Sequence, residues 1–148
     1  MLGATTRRRH EADPRQVALS RRTSKCYAYK TREHISMNQE LVIEQKIIGD
    51  MIVLRPAGDI DMARSSAIRK AVTEVVRTRP AKLVIDLTAV DYMDSSGIAT
   101  MIEALQSSMR NKMKFVLVGV GPKVRSAFEI TKLVGMFTIC DTVEEAAK

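Results

Sequence analysis

The chain has 148 residues, 45% of them hydrophobic, but only 4% are aromatic and none is tryptophan. That is the size of one domain with a real core, filled by aliphatic side chains and nine methionines. The formal net charge of +7 is unevenly held: residues 1–36 carry nine basic and three acidic residues, the remainder fifteen and fourteen. The globular part is therefore close to neutral, which argues against direct DNA binding by the domain. No apolar stretch approaches the roughly 20 residues that span a bilayer, and no secretory signal is evident, so the cytoplasm is the expected compartment. Cys26 and Cys140 are too far apart for a metal-binding spacing or a disulfide framework. Cys140 ends an apolar run and reads as a buried small hydrophobe.

Residues 1–36 have few large aliphatics and no sustained period, so a disordered basic extension is expected there. Such a segment can serve as a nucleic-acid arm, a contact for anionic membranes, a targeting sequence or a passive extension. The passive reading is the plainest, and the domain is placed at 37–148, opening on Met37. Leu41, Ile43 and Ile47 alternate with Val42, Glu44 and Lys46, which predicts a strand with one better-buried face. Gly49-Asp50 predicts a turn and 51–54 a second strand, a hairpin ended by Pro56 and Gly58.

A helix is predicted over 62–77, with Ile68, Val72, Val75 and Val76 on one face, Asp61 as N-cap and Arg79-Pro80 as its break. A third strand over 82–87 leads through a polar turn to a helix over 95–110. There Ile98, Met101, Ile102, Leu105 and Met109 follow helical spacing. Residues 115–118 read as a strand buried on both faces. Gly119, Gly121 and Pro122 form a turn, followed by a short helix carrying Val124, Ala127 and Phe128. A last strand is predicted over 137–140 and a terminal helix over 143–148. A hairpin followed by alternating helices and strands gives an α/β fold, a mixed β-sheet covered by α-helices.

The turn Val90-Asp91-Tyr92-Met93-Asp94-Ser95-Ser96-Gly97-Ile98 carries the functional signal. Free N–H groups and the positive dipole end of a helix favour anionic groups at its start, so a phosphate on Ser95 is tolerated there. Ordinary N-capping, worth about 1 kcal/mol, explains the same residue types and is the commoner role. Both histidines, His10 and His34, lie in the extension, so Ser95 has no evident triad partner and catalysis is not expected. Gly119-x-Gly121 lacks a Walker pattern and a third glycine, a weak signal for a nucleotide. Asp59, Asp61, Asp91 and Asp94 admit a magnesium site, but turns and caps use carboxylates far more often. No metal and no cofactor are expected.

Asp94-Ser95-Ser96-Gly97-Ile98 after an apolar strand resembles the signature of the STAS domains, in particular of bacterial anti-sigma factor antagonists. Gly58-Asp59-Ile60-Asp61, after a strand and before a helix, resembles that family's Gly-x-x-Asp motif. The resemblance runs from about Leu41 to the C-terminus. It implies a STAS-like fold and a protein that binds an anti-sigma factor, itself a Ser kinase, and so releases a sigma factor. It implies phosphorylation at Ser95, with Ser96 as the alternative acceptor, and reversal by a metal-dependent Ser/Thr phosphatase. Asp61, Met93, Asp94, Ser95, Ser96, Gly97 and Ile98 would form the partner-binding surface, Met93 and Ile98 as its apolar contacts. Two rivals are a STAS module in a stress-signalling scaffold or transporter accessory, and a nucleotide-binding protein using the 119–122 turn.

Overall fold

The computed structural model describes the backbone of residues 25–28 and the whole of residues 41–148. Six strands form one sheet in sequence order: β1 (Lys25–Ala28), β2 (Val42–Ile48), β3 (Met51–Ala57), β4 (Lys82–Asp86), β5 (Lys114–Val118) and β6 (Thr138–Cys140). β1, β2 and β3 pair antiparallel, whereas β3 through β6 are parallel. The parallel pairs are joined through α1 (Met62–Thr78), α2 (Ser95–Arg110) and α3 (Pro122–Ile130), and α4 (Val143–Ala147) ends the chain. Lys25–Ala28 falls within the 1–36 extension. They pair with the exposed edge of β2, whose free N–H and C=O groups invite a further strand. The rest of the 1–36 extension lies outside the described residues.

The connections explain the layering. Each parallel crossover moves one strand further in the same direction, and crossovers share one hand, so α1, α2 and α3 fall on the same face. The main core lies between them and the sheet. It joins Ile68, Val72 and Val75 of α1, Met101 and Ala104 of α2, and Val124 and Phe128 of α3 to Leu54, Leu83, Ile85 and Leu117. Phe128 is fully buried, with its ring centroid 5.2 Å from that of Phe137. The opposite face carries a smaller cluster, Met51, Val53, Val84, Val116 and Val118, under Ala146 of α4. β5 is thus buried on both faces, as its continuous apolarity predicts.

Four expectations shift. Ile47 is 56% exposed, because the end of β2 runs past the helices that cover the core. Met109 is 67% exposed, while the buried stripe of α2 passes through Gly97, Ile98, Thr100, Met101, Ala104 and Ser108. Small residues hold that stripe where α2 meets α1. Pro56 lies inside β3 opposite Ile43, and the strand ends at Ala57 before Gly58, whose φ of +99° suits glycine. Cys140 is half-buried and free, beside Val143 on the smaller cluster.

On that second face Asp86, 1% exposed, accepts hydrogen bonds at Oδ2 from Arg55 Nε (2.8 Å) and Nη2 (2.6 Å). Its Oδ1 accepts from the backbone N–H of Thr88 at 3.0 Å and from the Thr88 hydroxyl. Burial alone would raise the Asp86 pKa, but the Thr88 donors and the Arg55 guanidinium outweigh it and hold the carboxyl below its ordinary range. The same pairing raises the Arg55 pKa. The Arg55 side chain is 41% exposed, and solvent screening limits what the pair contributes. Arg55→Met should therefore lower stability at pH 7 by about 1–3 kcal/mol, the range for a buried group that loses a partner. The folded pKa of Asp86 lies below an unfolded value of about 3.9. The stabilisation is complete above that value and lost as pH falls through the depressed one. Urea unfolding should show the gap between wild type and variant narrowing from pH 7 to pH 3; equal stability at pH 7 would contradict the role.

Candidate functional site

β3 and β4 are parallel, so both deliver their chains to the same edge of the sheet, where α1 and α2 begin. The two connecting turns are joined backbone to backbone. Gly58 N–H donates to Ala89 O (2.9 Å), Ile60 N–H to Tyr92 O (2.9 Å) and Asp94 N–H to Ile60 O (3.1 Å), with Ile60 and Met93 paired as an isolated parallel bridge. The sequence motifs Gly58-Asp59-Ile60-Asp61 and Asp94-Ser95-Ser96-Gly97-Ile98 are thus one structural unit. Ile60 is fully buried beneath it.

Each turn is closed by an aspartate at the N-cap of its helix, as expected for Asp61. Asp61 Oδ1 accepts from Arg64 N–H at 3.0 Å, at the start of α1. Asp94 Oδ1 accepts from Ser96 N–H at 2.9 Å, Gly97 N–H at 3.1 Å and the Ser96 hydroxyl at 2.5 Å. The Ser96 hydroxyl is the chief cause holding the Asp94 pKa below its ordinary value. Partial desolvation opposes it, and the backbone N–H groups of Gly97, Ser96 and Met62 add to it. The link between the two helix starts is made by backbone, Asp94 N–H on Ile60 O, next to the Ile60–Met93 bridge.

This arrangement separates the two serines. Ser96 is half-buried and its hydroxyl is committed to Asp94, whereas Ser95 is exposed at the first position of α2. Gly97 is buried against the bridge: a Cβ there would lie 2.4 Å from Met93 Cγ and 2.8 Å from Ile60 Cγ2. Glycine is needed at this position for close approach, not for unusual dihedrals.

Two expected contact residues are corrected. Met93 and Ile98 are 4% and 8% exposed and belong to the main core, so neither offers apolar surface to a partner. Met93 turns inward because it pairs with Ile60, and Ile98 opens the buried stripe of α2. The exposed apolar side chains here are Met62 (79%) and Tyr92 (53%), which the sequence reading missed. A signal for Met62 was present: it stands seven and eleven residues before Arg69 and Thr73, on the solvent face of α1.

Asp59 and Asp91 are exposed on the same two turns. Among the described residues, no three His, Cys, Asp or Glu side chains are grouped to hold a metal ion. Gly119, considered for a phosphate loop, has φ +65° and lies against Thr88, whose Oγ1 is 2.2 Å from where a Cβ would stand. Backbone conformation and packing account for that glycine.

Comparison with known proteins agrees with this geometry. Residues 42–146 match the STAS domain family. The chain is 32% identical over 94 residues to the anti-sigma-F factor antagonist RsfB of Mycobacterium tuberculosis, covering 64% of this chain and 76% of that protein. It is 32% identical over 97 residues to the anti-sigma-B factor antagonist of Listeria monocytogenes, covering 66% and 84%. The crystal structure of an anti-sigma factor antagonist from Mycobacterium paratuberculosis superposes with a TM-score of 0.68 at 26% identity, covering 76% of this chain and 96% of that one. Among the described residues no helix is long and apolar enough to cross a membrane.

The packing of Gly97 gives a direct test. Gly97→Ala should lower stability by about 1–3 kcal/mol, the cost of overpacking, although alanine is the better helix former. Gly135→Ala, with nothing within 4 Å of the added Cβ, should change it little. Equal melting temperatures for the two variants would contradict the close approach at Gly97.

Proposed function

The chain belongs to the STAS domain family, among its anti-sigma factor antagonists, and from that premise we propose that it works by a phosphorylation-controlled exchange of partners. The unphosphorylated protein binds an anti-sigma factor that is also a Ser kinase, and so releases a sigma factor in the cytoplasm. Phosphorylation of Ser95 by that kinase ends binding, and a metal-dependent Ser/Thr phosphatase restores it. The chain itself acts by binding and not by catalysis. The observation that carries this reading is the contrast at the start of α2: Ser95 is exposed, while the adjacent Ser96 hydroxyl is held by Asp94.

The physics of such a switch is local. A phosphoserine brings about −1.5 to −2 charges at neutral pH, and a helix start receives them without refolding. Asp94 and Asp61 keep the acceptor in place by capping the two helices that frame it. A penalty of only about 3 kcal/mol for seating the phosphate would weaken binding more than 100-fold.

The test begins with capture of partners from lysate of the source organism by the immobilised chain. An ATPase-fold Ser kinase is the expected catch; membrane-transport components in its place would favour an accessory role. Incubated with the captured kinase and ATP, the chain should gain one phosphate, mapped by fragmentation to Ser95. Ser95→Ala should abolish the mark yet keep kinase binding, and Ser96→Ala should still be phosphorylated. A phosphate found only on Ser96 would overturn the residue assignment.

A second expectation concerns Asp94. Asn caps helices about as well as Asp, so Asp94→Asn should keep much of the cap at α2. It replaces one acceptor oxygen with a donor and removes the negative charge from the surface beside Ser95. Phosphorylation and kinase binding should fall by more than stability does. Wild-type affinity and phosphorylation rate in this variant would reduce Asp94 to a helix cap.

A further inference from the structure

Of the eight large hydrophobic side chains strongly exposed among the described residues, Met62 and Tyr92 rise from the two joined turns at Ser95. A single exposed apolar residue is ordinary. Here both are mounted on rigid backbone. The Tyr92 carbonyl accepts from Ile60 N–H, and Met62 is the first residue of α1, directly after its N-cap Asp61. An aromatic ring and an adaptable thioether, carried on two joined turns, are residue types enriched in the buried centres of protein interfaces.

The charge around them is one-sided. Residues 58–64 and 88–98 contain Asp59, Asp61, Asp91 and Asp94 against a single basic residue, Arg64, whose guanidinium donates to Asp59 O at 2.9 Å. Exposed Lys123 and Arg125 stand on the neighbouring α3. An acidic surface of this kind attracts a basic face and repels an acidic one.

We infer that Met62 and Tyr92 are paired apolar anchors that enter a pocket on the partner protein, and that Lys or Arg side chains rim this pocket. The inference rests on the partner-binding reading of the Ser95 site. It also specifies how a phosphate would act there. The added charge has the sign that a basic partner already attracts, so long-range repulsion cannot be what ends binding. The phosphate acts at contact range, by its bulk and by the desolvation it demands where the anchors seat. Encounter is preserved and the complex falls apart faster, since on-rates follow the overall field and off-rates the close contacts.

Binding kinetics with the purified kinase that the wild-type chain captures test this. Tyr92→Ala should raise Kd about tenfold or more and Met62→Ala several-fold, the scale of truncating buried interface anchors. Met109→Ala and Ile130→Ala, at exposed apolar positions on other surfaces, should bind as wild type. Melting temperatures close to wild type in all four would confirm intact folding. Raising salt from about 0.05 to 0.5 M should slow association, because the attraction is screened. Ser95→Asp should associate within about threefold of the wild-type rate at low salt and dissociate at least tenfold faster. Wild-type affinity in both Met62→Ala and Tyr92→Ala, with Ser95→Asp still defective, would overturn the anchors and leave the partner exchange standing. Association in Ser95→Asp slowed more than tenfold, with dissociation unchanged, would overturn the contact-range mechanism. Capture of no Ser kinase by wild type would overturn this inference together with the reading beneath it.

Discussion

The backbone of Asp94 donates to Ile60, and its carboxylate collects the Ser96 and Gly97 N–H groups of α2 and the Ser96 hydroxyl. Most of what distinguishes this end of the molecule depends on that one residue being tied in several directions. A helix start leaves four N–H groups without intrahelical partners. Here a neighbouring turn and a single carboxylate satisfy several of them, fixing two helices relative to each other. Ser95 is the residue left over. It stands at the first helical position with its side chain exposed, outside the hydrogen bonds that hold the frame.

The sheet makes this possible. Because β3, β4 and β5 run parallel and each crossover has the same hand, three helix starts arrive at one edge. Close packing then fixes the details. Gly97 lets α2 approach the Ile60–Met93 bridge, and Gly119 makes room for Thr88, which in turn donates to the buried Asp86. The last of these links reaches Arg55 on the far face of the sheet. The two glycines look alike in the sequence as turn residues, yet both are required by what lies opposite them.

Features governed by local rules were readable before the fold. The order of strands and helices from β2 onward, the cap at Asp61 and the start of α2 beside Asp94 all follow from periodicity, capping preference and turn residues. The N-cap aspartates were legible because their partners are two or three residues away. Features set by distant residues were not. Nothing next to Met93 announces that it pairs with Ile60 and turns inward, and nothing next to Arg55 points to Asp86, 31 residues later. The exposure of Ile47 and Met109 likewise depends on where neighbouring elements stop, not on their own spacing. At the candidate site the motif singled out Ser95, which the structure exposes, but the apolar residues were assigned to the wrong side of the surface. Alternation along a short turn does not say which way the core lies.

In the proposed switch the joined turns form a frame that phosphorylation would decorate without changing. Amide hydrogen exchange measures this directly, residue by residue, in the unmodified and Ser95-phosphorylated forms. Protection at Gly58, Ile60, Asp94 and Gly97 should be retained after phosphorylation, with changes confined to Ser95 and its immediate neighbours. Loss of protection at Ile60 and Asp94 in the phosphorylated form would show that the frame opens, and would contradict a switch that acts only at the surface.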